Sequence, residues 1–185
     1  MSFRWLPNAI SLLRIALVPP IVYLIIDGRF RSAIALFLVA GFSDGLDGYL
    51  AKRYNWQTRT GALLDPAADK LLVAGLFVTL AIVARIPIWL AVIVVLRDVV
   101  IVGGAMAYNF LVRPVEGEPT RISKLNTAFE LTFILFVLSR AGFGWPDQIS
   151  ITVLGAAVFV TVVVSGIDYV RAWTARALAR SNSGN

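Results

Sequence analysis

Read along the chain, apolar residues fall into six long runs separated by short polar breaks. A helix needs about 20 mostly apolar residues to cross the hydrocarbon of a bilayer. The runs predict six helices, at roughly 8–27, 32–52, 62–84, 87–112, 124–142 and 148–171. The sixth is the cleanest, with no charge from Gln148 to Ile167. The second and third break the pattern, since each is apolar over one half and acidic over the other. Asp44 and Asp47 come late in the second, and Asp65 and Asp69 come early in the third. No internal repeat or linker interrupts the runs, which predicts one domain over residues 1–180 and a short disordered tail at 181–185.

Composition sharpens this reading. Of 185 residues, 58% are hydrophobic and 15% charged, with a mean hydropathy of +0.79. A soluble domain carries about 45–50% apolar and about 25% charged residues. The expected fold is therefore all-α and integral to a membrane, with six transmembrane helices. The opening "MSFRWLPNAI" lacks the short apolar core and small-residue cleavage site of a signal peptide, so the first run is expected to stay in the mature protein. There is no cysteine and no histidine. Thiol, disulfide and imidazole chemistry are excluded, and a bound metal must be a hard cation held by oxygen.

The net charge of +6 would suggest nucleic acid in a soluble protein. In a membrane protein it fits the positive-inside bias, and no nucleic-acid partner is expected. Arg4, Lys52, Arg53, Arg59, Arg113, Arg121, Lys124, Arg171, Arg176 and Arg180 fall on one side of the spans. Arg29, Arg31, Arg85 and Arg140 fall on the other. This predicts that both termini are cytoplasmic and that the acidic halves of helices two and three lie toward the cytoplasmic leaflet, in a bacterial inner membrane. Trp5, Trp56, Trp89, Trp145 and Trp173 fall near span ends, as interfacial anchors do.

Spacings of three and four place Asp44 with Asp47, and Asp65 with Asp69, on single helix faces. A short loop makes the two helices antiparallel neighbours, so four carboxylates can converge. Each buried charge costs about 2.5–3.5 kcal/mol on insertion scales. Like charges raise that cost unless a cation offsets them. One or two divalent metals are the simplest stabiliser, and a metal pair is a common device for phosphoryl transfer. Such a site at a membrane interface suits a lipid substrate. Gly45, Gly48, Ala51, Gly61, Ala62, Ala67 and Ala68 leave room beside the acids, although small residues also serve plain helix packing.

The stretch "SDGLDGYLAKRYNWQTRTGALLDPAADK" resembles the signature of the CDP-alcohol phosphatidyltransferase family, D-x2-D-G-x2-A-R-x8-G-x3-D-x3-D. Asp44, Asp47, Gly48, Ala51, Gly61, Asp65 and Asp69 match it. Lys52 departs from it, keeping the charge of the usual arginine but not its bidentate geometry. "PNAISLLRIALVP" resembles the family's first helix, with Asn8, Ser11 and Arg14 on one side. The resemblance implies six spans, cytoplasmic termini and a homodimer. It implies one or two Mg²⁺ or Mn²⁺ ions, two being expected, held by Asp44, Asp47, Asp65 and Asp69, with Asp69 also the general base. It further implies CDP binding by Asn8, Ser11, Arg14, Gly48, Ala51, Lys52 and Gly61. The implied reaction is attack of an alcohol on CDP-diacylglycerol, releasing CMP.

The signature does not name the alcohol. "LRDVVIVGGA" carries Arg97 and "PTRISKLNTAFEL" carries Arg121 and Lys124, cations suited to an anionic acceptor. Both stretches, and "SDGLDGYLAKR" itself, resemble the cardiolipin-forming branch of the family, whose acceptor is phosphatidylglycerol. The branch that uses glycerol 3-phosphate shares the core motif. The plainer reading of Arg97 is a buried structural pair with Asp98. Glu130 and Asp168 read as helix-end or interhelical hydrogen-bonding groups. Two other classes stay open: a divalent-cation transporter, because intramembrane carboxylates also mark ion paths, and a catalytically silent scaffold. The clustering of the acids at one leaflet argues against a path across the membrane. Retention of all four aspartates argues against a silent scaffold.

Overall fold

The computed structural model describes the backbone of residues 6–54, 59–111 and 121–181, and the side chains of 9–43, 68–101, 103, 122–169 and 171. These residues form six helices: α1 Leu6–Ile26, α2 Phe30–Tyr54, α3 Arg59–Ile82, α4 Ile88–Leu111, α5 Arg121–Phe143 and α6 Gln148–Ser181. The six-helix, all-α architecture expected from the apolar runs is the one observed. The largest difference is α6, which continues past the last apolar residues because its Ala- and Arg-containing final turns favour helix. Residues 182–185 lie outside the described residues.

Continuous apolar stretches long enough to cross a membrane run over Ala9–Ile26, Ile122–Phe143 and Gln148–Tyr169, with a shorter one at Phe30–Ser43. The outer surface matches. Phe42, Ile82 and Ile149 are each more than 70% exposed, an apolar exterior that water would not tolerate but lipid does.

Helices α1, α3 and α5 end alike, on residues in the left-handed conformation: Gly28 at φ 75°, Ala84 at φ 55° and Gly144 at φ 77°. The turned chain returns amides to the last carbonyls, with Arg29 N–H donating to Leu24 at 2.8 Å and Arg85 N–H to Leu80 at 2.9 Å. Asp147 then opens α6. Its carboxylate accepts the Ser150 hydroxyl, which holds the carboxyl below the usual aspartate range. Arginines fasten this end of the bundle. Arg31 donates to the Gly142 carbonyl at 2.9 Å and lies over Phe143, and Arg85 lies over Phe30.

Contacts among the described residues close the helices into a ring in the order α1, α3, α4, α6, α5, α2, with α3 touching α5 across the middle. The stacked rings of Phe77 and Phe133, 5.8 Å apart, make that crossing. The short connection between α2 and α3 predicts that they are neighbours. Among the described residues α1 packs against both, and α2 does not touch α3. Small residues permit this. A Cβ on Gly75 would meet Val18 of α1 at 3.3 Å, and one on Gly155 of α6 would meet Phe133 of α5 at 3.1 Å. The ring is filled by Ile21, Ile25, Phe37, Leu76, Phe77, Leu80, Leu90, Phe133, Ile134, Leu138 and Val158, all 5% exposed or less.

Candidate active site at the open end of the ring

At the end opposite the arginine clasps, the core turns polar. The last turns of α2 carry Asp44, Asp47, Gly48, Ala51 and Lys52, and the first turns of α3 carry Gly61, Asp65 and Asp69. Both segments end at the same connection, so the whole motif is gathered at one end of the bundle. The side chains of Asn8, Asp44, Asp47, Ala51, Lys52, Asp65 and Arg121 lie outside the described residues.

Asp69 is described. Its carboxylate is 40% exposed and pairs with the Arg14 guanidinium of α1, itself 1% exposed. Ser11, one turn before Arg14, is fully buried on the same face. Ser11 and Arg14, two of the residues expected to bind CDP, therefore point inward, and Arg14 grips the expected base. A guanidinium stays charged at any working pH, so Asp69 keeps a fixed cationic partner.

The next residue, Lys70, points about 100° further around α3. Its ammonium donates to Asp98 of α4, and Asp98 Oδ1 also accepts Arg97 Nη1 at 2.7 Å. Arg97 Nη2 reaches Ser123 of α5 at 3.2 Å and Ser165 of α6 at 2.5 Å. Arg97 is thus 6% exposed and held within the bundle by three helices. This is the buried pair of the plainer reading, now with two hydroxyl partners. Lys124, the residue after Ser123, is exposed on α5. Deeper in α5, Asn126 donates to Glu130 at 2.6 Å and accepts the Thr161 hydroxyl of α6 at 3.0 Å, so Glu130 belongs to an interhelical hydrogen-bonding network. Asp98 and Glu130 each keep one buried carboxylate oxygen without a hydrogen-bond partner among the described residues.

Sequence reasoning left Lys70, Asp98, Ser123 and Ser165 out of the site. The signal for Lys70 and Asp98 was present: charges inside apolar segments need an inward partner. The hydroxyls carried no such mark, since serines in membrane helices are commonly satisfied by their own backbone.

In this belt Arg14 pairs with Asp69, and Lys70 and Arg97 share Asp98. Asp44, Asp47 and Asp65 add three acids at the same end. An all-oxygen, acid-rich donor set on two helix ends fits a hard divalent cation. No cluster of three potential ligands occurs among the described side chains. An apolar groove of about 480 Å³ lies on the outside of α3 and α4, lined by residues such as Val78, Ile82, Ile88, Val92 and Leu96. Its walls carry none of the chemistry of the belt.

Comparison with known proteins gives the family. The chain matches the CDP-alcohol phosphatidyltransferase family over residues 4–177. It is 32% identical over 180 residues to human "Cardiolipin synthase (CMP-forming)", covering 89% of this chain and 60% of the human protein. The Drosophila melanogaster "Probable cardiolipin synthase (CMP-forming)" is also 32% identical, over 89% of this chain and 56% of the fly protein. "Probable phosphatidylglycerophosphate synthase" of Mycobacterium tuberculosis is 32% identical over 172 residues, 89% of this chain and 79% of that protein. The chain spans about 60% of the length of the human relative. It belongs to the CDP-alcohol phosphatidyltransferase family, as a multi-pass integral membrane protein.

Proposed function

We propose that the protein transfers a phosphatidyl group from CDP-diacylglycerol to the glycerol hydroxyl of phosphatidylglycerol, forming cardiolipin and CMP. The observation that carries the reading is the four-aspartate motif gathered at one end of α2 and α3, with Asp69 held by Arg14. The names of the human and fly relatives support phosphatidylglycerol as acceptor. The mycobacterial relative, more of whose length is matched, supports a second reading with glycerol 3-phosphate as acceptor and phosphatidylglycerophosphate as product.

In either case the acceptor oxygen attacks the diacylglycerol-side phosphorus of the diphosphate. A P–O bond forms there as the bond to the bridging oxygen breaks, and that electron pair leaves with CMP. Asp69 takes the proton of the attacking hydroxyl. Its half-exposed carboxylate is reachable, and Arg14 holds its orientation. Asp44, Asp47, Asp65 and Asp69 would hold one or two Mg²⁺ or Mn²⁺ ions, which would supply charge neutralisation on the diphosphate. Ser11 and Arg14 would meet the CDP moiety from α1. The reading also includes a homodimer, with the site toward the cytoplasmic leaflet.

The test is purified protein with CDP-diacylglycerol, Mg²⁺ or Mn²⁺, and either phosphatidylglycerol or glycerol 3-phosphate, reading CMP and lipid product by mass spectrometry. Cardiolipin formed with phosphatidylglycerol alone supports the first reading. Phosphatidylglycerophosphate supports the second. No CMP with either acceptor removes both and favours cation movement or a scaffold role. Chelator should arrest turnover and Mg²⁺ or Mn²⁺ restore it; full activity in chelator would remove the metal from the proposal.

A further inference from the structure

We propose that Lys70, rather than Arg97, is the cation that receives the phosphate of the acceptor alcohol, and that Asp98 holds Lys70 in place until it does. The inference rests on the phosphatidyl transfer proposed for this site. Three observations carry it.

The first is access. Arg97 is enclosed: Nη1 donates to Asp98 and Nη2 to Ser123 and Ser165, Nε is buried without a partner among the described residues, and the side chain is 6% exposed. Recruiting it would break three contacts inside the bundle. Lys70 is 29% exposed and donates to one described partner, Asp98. An ammonium has three N–H donors, so two remain for a ligand.

The second is position. Asp69 and Lys70 are consecutive on α3, and they face different helices, Asp69 toward α1 and Lys70 toward α4. Because α3 touches α5 across the ring, it forms a wall between α1 and α2 on one side and α4 and α6 on the other. The motif aspartates of α2 and Arg14 of α1 belong to the first side. Lys70 belongs to the second, so a phosphate held by Lys70 at the edge of α3 leaves the hydroxyl, a few bonds away, to reach Asp69 and the nucleotide on the first side.

The third is compensation. Asp98 Oδ1 is shared by two cations, so a phosphate that takes Lys70 leaves Asp98 still paired with Arg97. The exchange strands no buried carboxylate, which makes it reversible at low cost. Glycerol 3-phosphate and phosphatidylglycerol offer the same chemistry here, an anionic phosphate a few bonds from the attacking hydroxyl.

The test separates acceptor from donor. Lys70→Gln should raise KM for the working acceptor about 10- to 100-fold, the worth of a charged hydrogen bond, while KM for CDP-diacylglycerol changes less than about twofold. Lys70→Arg, which keeps a charge at that position, should recover most of the acceptor affinity. If Lys70→Gln proves poorly folded, Lys70→Met, which also removes the charge, takes its place, with Arg97→Lys as comparator. A shifted acceptor KM in the Lys70 variant but not in the Arg97 variant supports the proposal, and the reverse overturns it. Equal rises in both KM values, or a loss of kcat alone, would make Lys70 structural and overturn it. The two acceptors are run in parallel, so the source of the phosphate is read from whichever KM moves. A wild type that releases CMP beside a Lys70 variant with unchanged acceptor KM defeats this inference alone. A wild type with no CMP release defeats the transfer reaction and this inference with it.

Discussion

Two residues on adjacent positions of α3 are bound in opposite ways, and the difference sets what each substitution will do. Asp69 is half-exposed and paired to a buried arginine. Asp69→Asn should abolish CMP release while most Mn²⁺ binding persists, measured by titration of the ion's paramagnetic signal. Normal turnover would take Asp69 out of the proton transfer. Lys70 instead shares its carboxylate with Arg97, a buried cation whose partners are all inside the bundle. Arg97→Met should lower unfolding free energy by about 3 kcal/mol, the low end for a severed buried pair, because Lys70 still faces Asp98. Melting in detergent checks this, and an unchanged midpoint would deny Arg97 its clamping role. At this scale the sequence was most informative for the acids, whose fixed spacing is a chemical signature. It was least informative for who pairs with whom. Arg14 and Asp69 are 55 positions apart, and nothing local marks them as partners.

At the scale of the helix, ends and close approaches matter most. Gly28 and Gly144 terminate α1 and α5 in a conformation that suits glycine, whereas Ala84 does the same for α3 with a Cβ present. Ala84→Gly should therefore stabilise the protein by about 1 kcal/mol, seen as a raised melting midpoint. A lowered midpoint would mean that lost helix packing outweighs the relieved strain. Gly155→Val should do the reverse, because even a Cβ there meets the Phe133 ring at 3.1 Å and would wedge α6 from α5, at a cost of about 1–3 kcal/mol. Helix existence was legible from apolar run length, which is why all six were found. The extension of α6 was not, because the apolar run ends before the helix does and hydropathy does not register the polar final turns.

At the scale of the molecule, consecutive helices were expected to be neighbours, and among the described residues α1 packs against both α2 and α3 while α2 and α3 share no contact. The insertion of α1 against both α2 and α3 depends on matching small residues on distant segments, such as Gly75 beneath Val18, which run length cannot reveal. Orientation is open to a direct test. The chain has no cysteine, so single cysteines placed at Ser2 and in the Asp27–Arg29 turn give clean reporters. A membrane-impermeant thiol reagent applied to intact bacterial cells should label the turn and spare the N-terminus, as the ten-to-four basic asymmetry predicts. Labelling of the N-terminus instead would invert the proposed sidedness.

The pairing of Asp69 with α1 and Lys70 with α4 also constrains motion. Their Cα atoms are fixed about 3.8 Å apart by one peptide bond, and the helix sets the angle between them. While both ion pairs hold, α3 cannot turn or slide to adjust one contact without shifting the other. Helices α1 and α4 share no contact among the described residues, yet they are geared together through α3. A rotation of α1 on one side of the ring must be taken up by α4 on the other, or one of the two ion pairs must let go.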